Sequence, residues 1–339
     1  MSMVCAVVLT YNRRDLLAEC LQAIAAQTHH CDRIIVVDNA SSDGTAQMVA
    51  ERWAGRVDLH VLGTNIGAAG GFNLCMRLAY QTGAEYIWIM DDDVLPEPDA
   101  LAALLDAGRL LDARGISPAF LTSVARAPGG EVTNVPELDR RLNALAYENW
   151  PDLLDHGLVP VTRSAFVSNL FPRATLTRHG LPIAAMFIWG EDSEFTWRIT
   201  QDRPGYMVGA SRALHVRQLA GVLDIRTERN PARINYHFHR IRNDIYLKRR
   251  FENPRAVARL VRRQLALAFR LCQAQEFFKA RVVLRGLLAG LSFNPPIEAA
   301  DAPCTIAGIR HVGEEIPVAA VLAPVEQQAF PNDLRPAVY

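Results

Sequence analysis

Three consecutive aspartates, Asp91, Asp92 and Asp93, directly follow the apolar run at residues 86–90. The pattern predicts a buried parallel strand whose carboxyl end presents three carboxylates, at the edge where open α/β sheets bind ligands. Packing alone gives no reason for three adjacent charges that repel one another. Mg²⁺ or Mn²⁺ would neutralise them, because these ions take carboxylate and substrate phosphate oxygens together. An acidic turn that begins a helix explains the same residues, since Asp also favours turns and N-caps.

A second acidic pair, Glu191 and Asp192, follows Gly190 and the apolar residues 186–189, and a helix is predicted after it. A carboxylate in this place could serve as a general base toward a hydroxyl, although the positive end of the helix dipole would lower its pKa. Moderate basicity suffices where a metal ion stabilises the leaving group. A capping carboxylate with a solvated partner is the alternative explanation.

Strands and helices alternate through the first third of the chain. The predicted strands are four apolar runs, each followed by apolar residues at helical spacing, at residues 4–9, 34–37, 57–62 and 86–90. This rhythm predicts an α/β fold with a mainly parallel sheet flanked by helices. Polar loops follow these strands and should meet at one sheet edge, at residues 10–13, 38–44, 65–72 and 91–93.

Several classes of protein are disfavoured. No Gly-x-Gly-x-x-Gly follows the first strand and no Gly-Lys-Ser/Thr follows the later glycines, which argues against an NAD enzyme or a P-loop kinase. Acidic and basic residues balance at 36 each, so the net charge gives no attraction to nucleic acid. Six cysteines without a Cys-x-x-Cys pair indicate free thiols in a reducing, cytoplasmic setting. No signal peptide and no membrane-spanning helix are expected.

Four motifs in order resemble the family 2 inverting glycosyltransferases of the GT-A fold: Val-Val-Leu-Thr-Tyr-Asn-Arg, Val-Val-Asp-Asn-Ala-Ser-Ser-Asp-Gly-Thr, Asn-Ile-Gly and Met-Asp-Asp-Asp. The resemblance covers the first third of the chain and implies a nucleotide-sugar donor. Tyr11, Arg13 and Asp38 would lie at the base and ribose. The other donor-binding positions that it implies are Thr10, Asn65, Gly67, Gly70 and Gly71.

The same resemblance assigns roles to the acidic residues. Asp91 and Asp93 would be DxD-type ligands of Mn²⁺ or Mg²⁺ and Asp92 would contact the donor sugar or ribose. Asp192 would be the general base, with Glu191 as the alternative base or as a residue that orients the acceptor.

Two further residues complete the implied site. Neutral imidazole is a frequent metal ligand. A lone histidine is more often structural, but the resemblance implies that His215 is the third protein ligand. Trp189 would form an apolar wall against the acceptor sugar.

The form Asn-x-Gly-x-x-Gly-Gly-Phe at residues 65–72 is similar to bacterial galactofuranosyltransferases of the GlfT type. It implies transfer of galactofuranose from UDP-galactofuranose to a lipid-linked or cell-envelope glycan acceptor. A rhamnosyltransferase that uses dTDP-rhamnose shares the other motifs and is the alternative. A nucleotidyltransferase and a non-catalytic nucleotide-sugar-binding protein are competing classes.

We expect three segments: a GT-A domain at 1–232, a basic helical region at 233–292 and a Pro-rich tail at 293–339 with a hairpin around 312–321. Arg240, Arg242 and Asn243 could contact phosphate or brace the fold. The basic amphipathic pattern of 255–290 is typical of peripheral binding to an anionic membrane surface, here the inner face of the cell membrane. A soluble helical hairpin explains it equally well. A homo-oligomer that uses the tail is a further expectation.

Overall fold

The strand Val4–Thr10 (β1) lies inside the parallel part of the sheet, and all of its residues are buried. The computed structural model describes residues 2–216, 224–304, 306 and 308–312. Within these residues twelve strands form one mixed sheet that helices flank, in agreement with the predicted α/β class.

The bounds of the elements follow in chain order. The helices are α1 (Arg14–Ala25), α2 (Thr45–Arg52), α3 (Gly67–Gln81), α4 (Ala100–Ala113), α5 (Arg173–His179), α6 (Glu191–Thr200), α7 (Pro231–Phe251), α8 (Pro254–Gln273) and α9 (Phe277–Ser292). The other strands are β2 (Arg33–Asp38), β3 (Asp58–Val61), β4 (Tyr86–Asp91), β5 (Val94–Pro96), β6 (Leu121–Arg126), β7 (Val132–Thr133), β8 (Glu137–Leu138), β9 (Leu158–Arg163), β10 (Asn169–Pro172), β11 (Gly205–His215) and β12 (Arg310–Val312).

The four N-terminal strands pair in parallel in the order β3-β2-β1-β4. Their register places Thr10 opposite Asp38, and Leu9 opposite Asp91. The polar loops after β1, β2 and β4 therefore meet at one edge of the sheet, as the alternation of strands and helices predicted.

The remaining strands make the sheet mixed. β10 runs antiparallel to both β4 and β6, while β11 runs parallel to β6 and antiparallel to β9. The short strand β5, which follows the three aspartates, pairs with the end of β11 so that Val94 lies opposite His215. This pairing brings His215 to the carboxyl end of β4, although the two are far apart in the sequence.

Ser168 and Asn169 lie in the interior of the sheet and are fully buried. The Ser168 hydroxyl accepts a hydrogen bond from Trp88 Nε1 at 3.1 Å and lies 2.6 Å from the Ser123 hydroxyl. These residues form a polar break between β6 and β10.

Three C-terminal helices pack together beside the sheet. Asn230 and Asn253 cap α7 and α8 with their side-chain oxygens, and a proline follows each cap, as is common for the first helical position. Gly286 and Gly290 of α9 allow that helix to lie close against the backbone of α7. No helix in the described part of the chain combines the length and apolarity needed to cross a bilayer.

The segment after α9 crosses the outer side of α3. Arg77 of α3, almost fully buried, pairs with the Glu298 carboxylate and donates to the carbonyl of Ala299 at 3.4 Å. β12 then adds to the sheet antiparallel to β3. The expected hairpin around 312–321 falls beyond Val312, outside the described residues.

The turn before α6 has an unusual backbone that places the second acidic pair. Phe187 and Trp189 have positive φ values of 64° and 61°, a region that residues with a Cβ seldom adopt. The Phe187 carbonyl accepts a hydrogen bond from Ala69 N at 3.0 Å, at the start of α3. Gly67 permits this contact, because a Cβ at its position would overlap the Phe187 carbonyl.

We predict that Gly67→Ala destabilises the protein far more than Gly83→Ala. Both glycines have positive φ and flank the same helix, but a Cβ at Gly83 meets nothing within 4 Å. Gly83→Ala should therefore cost only the left-handed strain, about 1–2 kcal/mol. Gly67→Ala adds overpacking of about 1–3 kcal/mol and disturbs a hydrogen bond. Urea unfolding measures both, and equal losses would contradict the close contact with Phe187.

Candidate active site

A cleft of about 280 Å³ opens at the carboxyl end of β1 and β4, close to the roughly 300 Å³ at which small-molecule sites begin. Its lining includes ten residues that the sequence singled out: Thr10, Tyr11, Arg13, Asp91, Asp92, Asp93, Trp189, Glu191, Asp192 and His215. The other lining residues, mostly apolar, were not foreseen: Leu9, Ala68, Phe72, Asn134, Ala165, Phe166, Val167 and Ile188.

Arg13 bridges two of the three aspartates. Its Nη1 lies 3.0 Å from Asp92 Oδ1 and 2.8 Å from Asp93 Oδ2. Thr10 completes the arrangement by donating to Asp92 Oδ2 at 2.8 Å. The resemblance implied that Arg13 lies at the base and ribose, but its guanidinium here neutralises the acidic cluster. Asp92 is held on both oxygens and serves as an anchor within that cluster.

His215, at the end of β11, approaches Asp93. Its Nε2 lies 3.2 Å from Asp93 Oδ1, and its Nδ1 lies 2.9 Å from Asn134 Oδ1. Asn134 therefore contacts one ring nitrogen of His215 while the other faces Asp93. Asn134 lies in the β7–β8 turn with φ of 49°, and the irregular sequence there carried no signal of this contact.

The donor atoms at this point suit a divalent cation. A carboxylate oxygen and an imidazole nitrogen face each other at 3.2 Å, and Asp93 Oδ1 has no other hydrogen-bond partner. Across the described ranges, no group of three or more His, Cys, Asp or Glu side chains is arranged to hold a metal ion. Mg²⁺ and Mn²⁺ sites often use one or two protein ligands together with substrate phosphates. Asp93 and His215 fit that pattern, and Asp91 lines the same cleft.

The three aspartates differ in the pKa that their surroundings give them. Burial and the charges of Asp93 and Asp92 raise the pKa of Asp91 well above its usual range. Burial also raises the pKa of Asp92, to about 6, against the opposing effect of Arg13. Burial acts to raise the pKa of Asp93 as well, but the hydrogen bond and charge of His215, with Arg13, lower it overall. Asp93 therefore carries the most secure negative charge in the cluster.

Glu191 and Asp192 form the first turn of α6 and line the same cleft. Burial and the charge of Asp192 raise the pKa of Glu191 to about 8. Burial raises the pKa of Asp192 too, although its Oδ1 accepts a hydrogen bond from Ser193 N at 2.6 Å. At neutral pH Glu191 therefore favours its protonated form. The Glu191 Oε2 atom is buried without a hydrogen-bond partner.

Trp189 forms an aromatic wall with residues of α7. Its ring lies edge-on to Tyr236 at 6.0 Å and to His237 at 5.3 Å between ring centroids. Aromatic faces of this kind suit the apolar face of a sugar ring. The expected role of Trp189 toward an acceptor stays a prediction.

Five of the proposed donor-binding residues do not line the cleft: Asp38, Asn65, Gly67, Gly70 and Gly71. Asp38 is fully buried at the end of β2, where its Oδ1 accepts from Ser41 N at 2.8 Å and its Oδ2 has no partner. Asn65 caps the backbone N–H of Gly67 at 2.8 Å.

The three glycines have packing roles. A Cβ on Gly67, Gly70 or Gly71 would press on Phe187, Ile66 or Leu9 respectively. Their small size therefore permits close packing at the start of α3, and contact with a donor stays a prediction.

Arg242 and Asn243 of α7 brace the turn before α6. Arg242 Nη2 donates to the carbonyls of Ala185 and Met186 at 2.8 and 2.9 Å. Asn243 Nδ2 lies within 3.1 Å of the carbonyls of Met186, Ile188 and Trp189. Of the two roles open from the sequence, the structure gives these residues the bracing one.

Residues 5–120 match the family model for Glycosyl transferase family 2. The chain is 31% identical over 209 residues to Galactofuranosyltransferase GlfT1 of Mycolicibacterium smegmatis, which covers 58% of this chain and 65% of the relative. It is 33% identical over 212 residues to Galactofuranosyltransferase GlfT1 of Mycobacterium tuberculosis, which covers 57% of this chain and 63% of the relative. The chain thus spans less than two-thirds of the length of these relatives.

A crystal structure of GalNAc-T7 with UDP, GalNAc and Mn²⁺ is similar in fold. Its TM-score is 0.54 at 13% sequence identity, and the match covers 74% of this chain and 48% of that one. The described chain therefore has a GT-A fold. Residues 5–120 form a glycosyltransferase family 2 domain, so the family that the four motifs indicated is confirmed.

We predict that Glu191→Gln makes the protein more stable at pH 8 than the wild type. The pKa of Glu191 rises from 4.5 to about 8 on folding, so between these values the folded protein keeps a proton that the unfolded chain releases. The free energy of unfolding must then fall as pH rises through this window, and glutamine removes that loss.

Urea unfolding at pH 5, 6.5 and 8 measures the effect. The advantage of Glu191→Gln should shrink toward pH 5, because this pH lies near the start of the window from 4.5 to about 8 in which the loss accumulates. Glu97→Gln, at an exposed glutamate, is the control and should show no such trend. A stability difference that is constant across the three pH values would show that Glu191 is not protonated in the folded state.

Proposed function

We propose that this protein is a metal-dependent inverting glycosyltransferase that transfers galactofuranose from UDP-galactofuranose to a lipid-linked or cell-envelope glycan acceptor. The observation that carries the proposal is the split acidic site in one cleft. Asp93 and His215 face each other at 3.2 Å, and Glu191 and Asp192 at the start of α6 line the same cleft. The family 2 domain over residues 5–120 supports the reaction class. The two mycobacterial relatives named as galactofuranosyltransferases support the sugar.

The donor diphosphate would bind at the acidic cluster through a divalent cation held by Asp93 and His215, with Asp91 nearby. When bound, Mn²⁺ or Mg²⁺ supplies positive charge that stabilises the departing UDP. Arg13 and Thr10 keep Asp92 and Asp93 in place, so the ligand oxygens are set before substrate arrives. Tyr11 lines the same part of the cleft and remains the proposed contact to the base.

Asp192 would act as the general base. Its carboxylate takes the proton of the acceptor hydroxyl, whose oxygen forms a bond to the anomeric carbon while the bond from that carbon to the UDP oxygen breaks. Because attack comes from the face opposite the diphosphate, the anomeric configuration inverts. One Asp192 oxygen is occupied by Ser193 N, which leaves the other for the proton. The raised pKa of Asp192 brings its basicity closer to neutral pH.

Glu191 would orient the acceptor as a hydrogen-bond donor. Its raised pKa favours the protonated form, its Oε2 has no hydrogen-bond partner, and the residue lines the cleft. A neutral carboxyl at Glu191 also avoids charge repulsion with Asp192 before the proton is transferred.

Three alternative functions have less support. A dTDP-rhamnose-dependent rhamnosyltransferase would use the same acidic site, so only the donor distinguishes it. A nucleotidyltransferase would need a cationic clamp for phosphate near the first loop, but Arg13 is engaged with Asp92 and Asp93. A non-catalytic nucleotide-sugar-binding protein has no use for a second pair of carboxylates in the cleft.

We predict that Asp192→Asn lowers kcat by about 10²–10⁴-fold, because an amide cannot accept the hydroxyl proton. Donor binding should persist, since Asp192 lies on α6 and not in the acidic cluster. Transfer from UDP-galactofuranose to a polyprenyl-diphosphate-linked glycan measures the first effect. The rise in Tm with UDP and Mn²⁺ measures donor binding, and in Asp192→Asn it should stay within about 1 °C of the wild-type rise. Such a difference is small, because about 1 kcal/mol corresponds to several degrees.

Glu191→Gln is the matched control for the base. Glutamine keeps the hydrogen-bond donor that protonated Glu191 supplies, so most activity should remain. The reverse order, an inactive Glu191→Gln and an active Asp192→Asn, would move the base to Glu191. Parallel assays with dTDP-rhamnose and UDP-glucose decide the sugar, and transfer from dTDP-rhamnose alone would replace the galactofuranose proposal.

We further propose that α8 and α9 dock on an anionic membrane surface, where a lipid-linked acceptor would lie. Exposed apolar side chains follow one another at helical spacing along α9: Phe277, Leu284, Leu288 and Leu291. α8 adds Leu265 and Phe269. Exposed arginines lie among them, at 255, 259, 262, 263, 270, 281 and 285, with Glu276 as the one acid between residues 254 and 292. The combination suits anionic lipid better than a neutral protein surface.

Co-sedimentation with vesicles tests this surface. Binding to vesicles with phosphatidylglycerol should exceed binding to phosphatidylcholine vesicles at low salt and weaken at high salt. Arg262→Glu with Arg281→Glu should reduce it by about tenfold or more, since each basic residue contributes on the order of 1 kcal/mol. The control reverses the exposed Arg52 and Arg109 instead. Equal binding by both double variants, or self-association in place of lipid binding, would reject the surface.

A further inference from the structure

We propose that Asn243 is a positioning residue for the general base: it holds the strained turn at residues 186–190 in the conformation that presents Glu191 and Asp192 to the cleft. The effect of Asn243 on catalysis rests on the proposed function. The claim that Asn243 holds the turn rests only on the contacts of its side chain.

The turn that precedes α6 cannot hold its shape through local preference. Phe187 and Trp189 both have left-handed φ values, and Gly190 follows with φ of 116°. A residue with a Cβ is disfavoured in the left-handed region, so surrounding contacts must impose the conformation. Since α6 begins at Glu191, any relaxation of this turn moves the first helical turn and both carboxylates.

Asn243 contacts three of the five carbonyls in that turn. Its Nδ2 lies 3.0 Å from Met186 O, 3.1 Å from Ile188 O and 2.9 Å from Trp189 O. The side chain is completely buried, so water does not compete for these bonds. The turn therefore takes its geometry from a single amide group that belongs to a helix later in the chain.

Arg242 fixes the orientation of that amide. Its Nε and Nη2 donate to Asn243 Oδ1 at 3.1 and 3.0 Å, so the oxygen faces Arg242 and the nitrogen must face the turn. Burial lowers the pKa of Arg242 to about 10, which leaves it charged at neutral pH. Its guanidinium also lies 4.0 Å from the centre of the Phe293 ring. The pair thus acts as one rigid unit on α7.

The opposite side of the turn is held by α3. The Phe187 carbonyl, which Asn243 does not contact, receives its hydrogen bond from Ala69 N at 3.0 Å. Asn39 in turn binds the start of α3, through Ile66 N at 2.9 Å and Gly67 O at 3.1 Å. The start of α3 and the helix α7 therefore bind the same turn from two directions. Of these contacts, Asn243 is the nearest to the acidic pair, since a Cβ on Gly190 would lie 3.3 Å from its own.

The test compares Asn243→Ala with Asn73→Ala. Asn73 is the matched control: it is equally buried on a helix, and its Nδ2 donates to the carbonyl of Pro182 at 2.8 Å, upstream of the strained turn. Asn243→Ala should lower kcat by about 10–100-fold, the loss expected for a displacement near 1 Å. The KM for the donor should stay within about threefold, since the acidic cluster at residues 91–93 is untouched. Asn73→Ala should keep kcat within about twofold of wild type.

Hydrogen exchange gives a readout that does not depend on catalysis. In Asn243→Ala, the backbone amides of residues 187–191 should exchange at least about tenfold faster than in wild type or Asn73→Ala, because the turn opens locally more often. Unchanged exchange in this segment, or a kcat no lower than that of Asn73→Ala, would overturn the proposal. If the wild type transfers no sugar, the proposed function fails, and hydrogen exchange alone decides the role of Asn243.

Gly190→Ala is the second variant, in case Asn243→Ala does not fold. It leaves Asn243 in place but adds a Cβ at positive φ and close to the Asn243 side chain. As for Asn243→Ala, we expect kcat to fall by about tenfold or more while the donor KM changes little. Wild-type kcat in Gly190→Ala would show that the geometry of this turn does not matter and would reject the proposal.

Discussion

Buried negative charge is the constraint on which this structure depends. Five carboxylates line one cleft, and burial alone would favour their neutral forms. The structure gives these carboxylates different protonation states. Arg13 and His215 hold Asp93 ionised, whereas Glu191 keeps a proton beside Asp192. A cleft of this kind has room for positive charge from a cation and for a proton from a hydroxyl. The two acidic groups come from different elements, the end of β4 and the start of α6.

The two acidic groups lie far apart in the chain, and the sheet joins them. Pairing of β5 with the end of β11 brings His215 to the aspartates. The pair on α6 depends on a turn with two left-handed residues, held by Ala69 from one side and by Asn243 from the other. The helices around the sheet therefore do more than cover its faces. α3 and α7 determine where the carboxylates of α6 point.

Sequence reasoning located most of the site because its signals are local. An apolar run that ends in acids, or a polar loop after a strand, can be read within a dozen residues, and parallel pairing then brings such loops to one edge. This accounts for Thr10, Arg13 and the three aspartates. At Gly67, Gly70 and Gly71 the structure shows close packing, and their contact with a donor stays a prediction. It missed Asn134, which sits in an irregular turn without periodicity.

The sequence by itself determined the fold class, the family, the acidic clusters and the ends of the strands that carry them. Only the tertiary structure decided which of these groups meet. Three features depend on pairings between segments far apart in the chain. They are the distance of 3.2 Å between His215 and Asp93, the protonation of Glu191 and the hydrogen bonds of Asn243 to the turn at 186–190. Hydrophobic periodicity and turn chemistry act over a few residues, whereas burial, charge balance and backbone strain are set by neighbours that only folding supplies.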